Sequence, residues 1–294
     1  MTAAVFAFDE DHAPAERLAA QLGVALHPVH LHRFPDGEAL PTVSGGHRTA
    51  LLYRSLDRPD GKVIPLLLAA DALRRAGAER IVLAAPYLPY LRQDRLFAPG
   101  QPLSRDVIGA LLAPPFDRIV TVQPHLHRTA NLADAFPGPE VNVLSVADLF
   151  ARAIGVGGEP LVVGPDAESE PWAAAVAAGL GAEHLSLRKV RHGDRKVSLA
   201  LPPGGEIAGR RVMLVDDICA SGGTLAATAA VLHAAGARSI DALVAHALFD
   251  EAAAHRLHQA GIRRVISTDS CRHPTNSLYL AGLLADALRK ETQP

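Results

Sequence analysis

The stretch VMLVDDICASGGT, residues 212–224, joins three patterns whose order decides the fold. Val212, Met213, Leu214 and Val215 form an unbroken apolar run, the mark of a strand buried on both faces. Asp216 and Asp217 end that run, and the small residues Ala220, Ser221, Gly222, Gly223 and Thr224 lead into LAATAAVLHAAGA, a helical stretch stopped by Gly236. Strand, tight turn and helix in this order are one β-α unit of a parallel sheet, whose carboxyl edge faces the ligand crevice.

Working outward, short apolar runs alternate with Ala- and Leu-rich helical stretches along the whole chain. IVLAAP at 81–86, IVTV at 119–122, LVVG at 161–164 and DALVAHAL at 241–248 read as strands, and VIPLLLAADALRRAGA, ended by Gly77, reads as a helix. ALRRAGAERIVLAAPYL near residue 80 and VLHAAGARSIDALVAHAL near residue 240 both run helix, Ala-Gly-Ala turn, strand, which points to an internal duplication. Two similar α/β halves then meet near the turn-rich PGPE at 137–140, giving expected domains 1–140 and 141–294.

Composition narrows the function classes. Of 294 residues, 49% are hydrophobic and 20% charged, enough for a buried core. A net charge of -2 offers no basic field for a nucleic-acid backbone. No apolar stretch approaches the roughly 20 residues that a membrane span needs, and MTAAVFAFDEDHAP turns acidic without a basic flank, so neither membrane insertion nor secretion is expected. The two cysteines, Cys219 and Cys271, stand far apart and fit a reducing cytoplasm.

The 212–224 stretch carries the chemistry. Ionised Asp216 and Asp217 are acceptor-only groups suited to the neighbouring hydroxyls of a ribose. The backbone N–H groups of residues 220–224 can wrap a phosphate at a helix N-terminus, where glycine permits close approach. Adjacent acids at the end of a buried strand are costly without a ligand or positive partner.

This stretch resembles the phosphoribosyl-diphosphate motif shared by type I phosphoribosyltransferases and ribose-phosphate diphosphokinases, and alone it does not separate them. Two further segments resemble the diphosphokinases specifically: RFPDGEALPTV at 33–43 and PYLPYLRQDRLFAPGQPLS at 86–104. The resemblance covers nearly the whole chain. It implies two type I phosphoribosyltransferase-like domains, each a mostly parallel sheet flanked by helices. It also implies transfer of diphosphate from magnesium ATP to ribose 5-phosphate, with an ATP site shared between the subunits of a homo-oligomer.

On that basis Phe34, Asp36, Glu38, Arg92, Gln93, Asp94 and Arg95 are expected at the ATP. The guanidinium forks of Arg92 and Arg95 beside an amide and an acid also suit a polyphosphate. Asp216, Asp217, Ala220, Ser221, Gly222, Gly223 and Thr224 are expected at ribose 5-phosphate. In VTVQPHLHR at 120–128, His125 takes the family's magnesium-side histidine position, with His127 as the rival; in VVGPDAESEPW at 162–172, Asp166 takes the aspartate position. Gln123 stands where an aspartate is usual, and Asp-Ala-Glu-Ser replaces a diphosphate loop that customarily has paired glycines.

LRKVRHGDRKVSLALP at 187–202 alternates apolar and basic residues as a hairpin does, and its Lys189 and Arg191 match the family's catalytic loop. Two other readings remain: a phosphoribosyltransferase, which has no use for the 33–43 and 86–104 segments, and a non-catalytic regulatory relative. The presence of Lys189, Arg191, Asp216 and Asp217 argues against the latter.

Overall fold

The computed structural model describes residues 3–126, 131–155, 160–192 and 196–293. The chain forms two compact units, Met1–Leu144 with Tyr279–Pro294, and Ser145–Leu278. In the first, β1 (Ala3–Phe8), α1 (His12–Leu22), β2 (Leu26–Arg33), β3 (Ala39–Thr42), β4 (Thr49–Tyr53), α2 (Val63–Arg75), β5 (Arg80–Ala85), α3 (Ser104–Leu112), β6 (Arg118–Val122) and β7 (Glu140–Leu144) follow in order. The sheet runs β3-β2-β1-β4-β5-β6-β7, parallel except where β3 folds back on β2. Every residue of β1 is buried, as expected of a strand covered on both faces.

The second unit contains α4 (Ala147–Ile154), β8 (Leu161–Gly164), α5 (Glu170–Ala178), β9 (His184–Ser186), β10 (Arg188–His192), β11 (Lys196–Ala200), β12 (Arg211–Cys219), α6 (Gly223–Ala234), β13 (Ser239–Ala247), α7 (Glu251–Gln259), β14 (Ile262–Thr268) and β15 (Asn276–Leu278). Its parallel sheet runs β15-β14-β13-β12-β8-β9, and β10 and β11 form a separate antiparallel hairpin. The last helix, α8 (Ala281–Leu288), returns to the first unit.

The duplication expected from the two Ala-Gly-Ala turns is present in the topology. If β1 is matched to β8 and β4 to β12, the order β2-β1-β4-β5-β6-β7 becomes β9-β8-β12-β13-β14-β15. The turns close alike: Gly77 has φ 100° and Gly236 φ 84°, and Ala78 and Ala237 each donate at 3.0 Å to the carbonyl five residues back. Only a residue free to adopt the left-handed region ends a helix this way without strain.

The expected division at residue 140 differs from the structure at both ends. Glu140–Leu144 is not linker but β7, which pairs in parallel with β6. Residues 279–294, expected in the second domain, belong to the first unit: Leu284 and Leu288 of α8 are buried, and Glu291 accepts from Arg80 at 2.6 and 2.9 Å and from Arg118 at 3.0 Å. A helical pattern at the end of a chain does not reveal which sheet it packs on.

A Cβ on Gly109 of α3 would lie 1.8 Å from the Ala135 carbonyl oxygen, a backbone atom that cannot swing aside. Gly109→Ala is therefore expected to destabilise by about 2–3 kcal/mol and to lower Tm by roughly 5–10 °C in a thermal melt. An unchanged Tm would mean that α3 is not held against that carbonyl.

Candidate active site

At the end of β12, Asp216 and Asp217 are partly buried while Val212 to Val215 beneath them are fully so. The Asp217 amide donates to Asp216 Oδ1 at 3.0 Å, and the Ile218 amide donates to Asp217 Oδ1 at 2.7 Å. Burial, and then the charge of Asp217, push the Asp216 carboxyl well above the ordinary carboxylate range, with Asp166 adding to the effect. Three acids thus share one edge of the second unit's sheet. Burial and the charge of Asp216 also push the Cys219 thiol up to about 12, so it stays a neutral packing group.

Ala220, Ser221 and Gly222 carry the chain from β12 into α6. Gly222 has φ 71°, and a Cβ there would meet Leu257 at 3.1 Å. Both facts favour glycine. The turn is secured from outside by Leu248 N–H donating to the Cys219 carbonyl at 2.8 Å, and by Arg256 of α7, whose guanidinium donates to the Ser221 carbonyl. Gly223 and Thr224 open the first turn of α6, where helix amides have no partner within the helix and the dipole favours an anion. Arg256 was not foreseen, because nothing in EAAAHRLHQ marks which basic residue lies under the loop.

Asp166 follows β8 and caps the short turn Ala167–Ser169. Its Oδ1 accepts from Glu168 N at 3.1 Å and Ser169 N at 3.2 Å, while Ser169 Oγ accepts from Asp166 N at 3.1 Å. The Asp-Ala-Glu-Ser loop thus holds its shape by a reciprocal cap instead of glycines. Among the described residues no group of three or more His, Cys, Asp or Glu stands in metal-ligating geometry. Lys189 and Arg191 occupy alternate positions of β10, paired with Leu199 and Val197 of β11. Their side chains lie outside what the structure describes.

In the first unit, the 33–43 segment is the hairpin joining β2 to β3. Phe34 N donates to the Glu38 carbonyl at 2.9 Å, Glu38 N to Asp36 Oδ1 at 3.1 Å, and Phe34 remains 40% exposed at the tip. Arg92, Gln93 and Arg95 are exposed and Asp94 half-buried in the loop that leaves β5. Ser104 Oγ donates to Gln93 Oε1 at 2.5 Å, and Arg95 lies over the Phe97 ring at 4.9 Å. His125, half-buried, follows β6; His127 falls outside the described residues.

The first unit also concentrates its strain at this edge. Its non-glycine residues with positive φ among those described are Arg58 (49°) after β4, Tyr90 (63°) after β5 and Gln123 (40°) after β6. Each follows the carboxyl end of a parallel strand, where strain commonly accompanies function. Tyr90 O–H donates to Asp60 at 2.7 Å and so ties the 92–95 loop to the one after β4. No charge or spacing pattern distinguishes Tyr90 within PYLPYL.

The duplicated position of the cradle, after β4, is built differently. Where β12 ends in acids, β4 leads into Arg54, fully buried, which donates to Asp11 at 2.8 Å and pairs with Glu10 at 2.5 Å. Burial pushes the Asp11 carboxyl up to about 6 against the pull of Arg54 and Lys62. The first unit therefore places a buried cation paired with acids at this edge, and the second leaves it acidic.

Comparison with known proteins agrees with this division. The N-terminal domain of ribose phosphate pyrophosphokinase matches residues 3–114, and the phosphoribosyl transferase domain matches residues 142–278. The chain belongs to the ribose-phosphate pyrophosphokinase family. It is 32% identical to a ribose-phosphate pyrophosphokinase of Methanopyrus kandleri over 97% of this chain and 98% of that one. To a Maricaulis maris ribose-phosphate pyrophosphokinase it is 32% identical, covering 93% and 91%. The crystal structure of phosphoribosylpyrophosphate synthetase from Mycobacterium smegmatis superposes with TM-score 0.83 at 27% identity, covering 98% of both chains. As in that family, the fold is a pair of phosphoribosyltransferase-like domains with mostly parallel sheets flanked by helices.

Asp216 gives this pyrophosphokinase a distinct stability signature. A carboxyl whose folded-state pKa is raised binds its proton more tightly when folded. Stability is therefore lost as pH rises from about 4 toward the folded-state pKa. Asp216→Asn is expected to melt higher than the natural protein at pH 8, with the gap closing at pH 4. A variant melting lower at pH 8 would show that Asp216 is held as a satisfied anion in the ligand-free protein.

Proposed function

We propose that the protein transfers the diphosphate of magnesium ATP to the anomeric hydroxyl of ribose 5-phosphate, releasing AMP and forming phosphoribosyl diphosphate. The observation that carries this reading is that one chain joins the acidic end of β12, running through left-handed Gly222 into α6, to a first unit with an exposed Phe34 hairpin and the exposed arginines of the 92–95 loop. There Asp216 and Asp217 accept from two ribose hydroxyls, and the backbone amides of Ala220 to Thr224 hold the 5-phosphate. Phe34 offers an apolar face to adenine, with Asp36, Glu38, Gln93 and Asp94 as polar contacts, and Arg92 and Arg95 carry the charge that a polyphosphate needs.

Magnesium commonly binds through one or two carboxylates together with substrate phosphates, without a full protein cage. The residues present fit that mode: Asp216, Asp217 and Asp166 share one edge of the second unit's sheet. Asp166 would hold the ion at the edge of the second unit's sheet; His125 is carried over separately as the family pattern's magnesium-side histidine. Bound there, magnesium supplies neutralisation of phosphate charge. Lys189 and Arg191 bring positive charge to the transferring group from β10, so positioning and charge stabilisation carry catalysis. A homo-oligomer sharing its ATP site between subunits completes the proposal, in a cytoplasmic setting that suits the buried free thiols of Cys219 and Cys271.

Purified protein incubated with ATP, ribose 5-phosphate and magnesium is expected to release AMP, and chelation of the metal should stop it. Lys189→Ala should lower turnover by about 100-fold or more with ATP affinity nearly unchanged. A phosphoribosyltransferase would instead consume phosphoribosyl diphosphate with a base and release no AMP. That result would overturn the proposal.

A further inference from the structure

At the opposite edge of the second unit's sheet, three arginines converge on one carboxylate. Asp241, the third residue of β13, has a fully buried side chain. Arg263 grips both its oxygens, Nε to Oδ1 at 2.9 Å and Nη2 to Oδ2 at 2.6 Å. Arg264 Nε stands 3.4 Å from Oδ1 and Arg211 Nη2 4.0 Å from Oδ2. The latter two are within ion-pair range, but neither makes a side-chain hydrogen bond to another described residue. Among the described residues one negative charge answers three guanidinium groups, a surplus of two positive charges.

The backbone is shaped to produce this crowding. Ile240 pairs with Ile262, but Asp241 pairs with Arg264, so Arg263 is an extra residue bulged out of β14. In a regular strand consecutive side chains point to opposite faces; a bulge re-aims one of them. Two consecutive arginines thereby reach the same carboxylate. Against the cost of burial, these arginines hold the Asp241 carboxyl below its usual range, so it remains a fixed anion around which they are arranged. Arg263 and Arg264 remain 59% and 52% exposed and Arg211 21%, so the unsatisfied N–H groups are within reach of solvent.

We propose that Arg211, Arg263 and Arg264 form a second anion site, which takes a phosphoryl or similar tetrahedral oxyanion. Guanidinium forks match pairs of oxygens on such a group, and a dianion balances the surplus charge. The site is separate from the acidic loop: Asp241 pairs with Met213 of β12, and Asp217 lies four residues further along, roughly 13 Å away. Its ligand is either a free oxyanion or the terminal phosphoryl group of a phosphate monoester.

The test follows the arginine Nε–Hε resonances by NMR, with Arg211 and Arg264 assigned from Arg211→Gln and Arg264→Gln. Inorganic phosphate and sulfate should shift both resonances saturably, whereas chloride at matched ionic strength should not. Arg264→Gln should weaken phosphate affinity read at Arg211 by about tenfold. That side chain is half exposed, so if Arg211→Gln fails to fold, Arg264 is still assigned from its own variant and a saturable shift at Arg264 with phosphate but not chloride keeps the test decisive. A matching shift with ribose 5-phosphate supports the site and assigns it to phosphate monoesters; a shift with inorganic phosphate alone supports it and assigns it to the free ion. Equal response to chloride, or no loss of affinity in Arg264→Gln, overturns the proposal.

Discussion

Two carboxylates at consecutive positions of a buried strand repel one another, and in this protein the charges of Asp217 and Asp166 both raise the Asp216 carboxyl. Burial and repulsion together leave the end of β12 electrostatically unfavourable in the ligand-free chain. Everything around it keeps the arrangement in place. The parallel ladders to β8 and β13 fix the strand, Gly222 turns it into α6, and Arg256 and Leu248 secure the turn from outside. A sugar that donates hydroxyl hydrogens to those oxygens relieves the strain, so local instability becomes affinity.

The duplicated fold shows what happens when that constraint is lifted. The first unit repeats the strand order and the helix-ending turns, yet Arg54 sits where the second unit has its acids and pairs with Asp11 and Glu10. Its edge carries strained backbone at Arg58, Tyr90 and Gln123 and exposed side chains at Phe34, Arg92 and Arg95. One unit thus ends its strand in carboxylate acceptors, and the other carries exposed cations and an aromatic face. The same scaffold has diverged by exchanging charge at the ends of equivalent strands.

Much of this was legible in the sequence because it is local. The run from Val212 to Val215, the acids after it and the glycines of the turn each announce a strand, an edge and a helix start within a few residues. The Ala-Gly-Ala turns exposed the duplication for the same reason. What escaped depends on contacts distant in sequence: the return of α8 to the first sheet, Arg256 beneath the Ser221 carbonyl, Tyr90 bound to Asp60, and three arginines gathered on Asp241 by a bulge. Asp166 was legible as an acid at a strand end, but its use as a cap emerged only with the backbone of residues 167–169.

The central claim is that burial and the neighbouring acids hold the Asp216 carboxyl above its ordinary range and that hydroxyl donors from a bound sugar lower it. Calorimetric titration of ribose 5-phosphate at a series of pH values, repeated in buffers of differing ionisation enthalpy, counts the protons that leave on binding. A net release that Asp216→Asn abolishes is the expected result. Binding without proton exchange, or an equal release from both proteins, would contradict it.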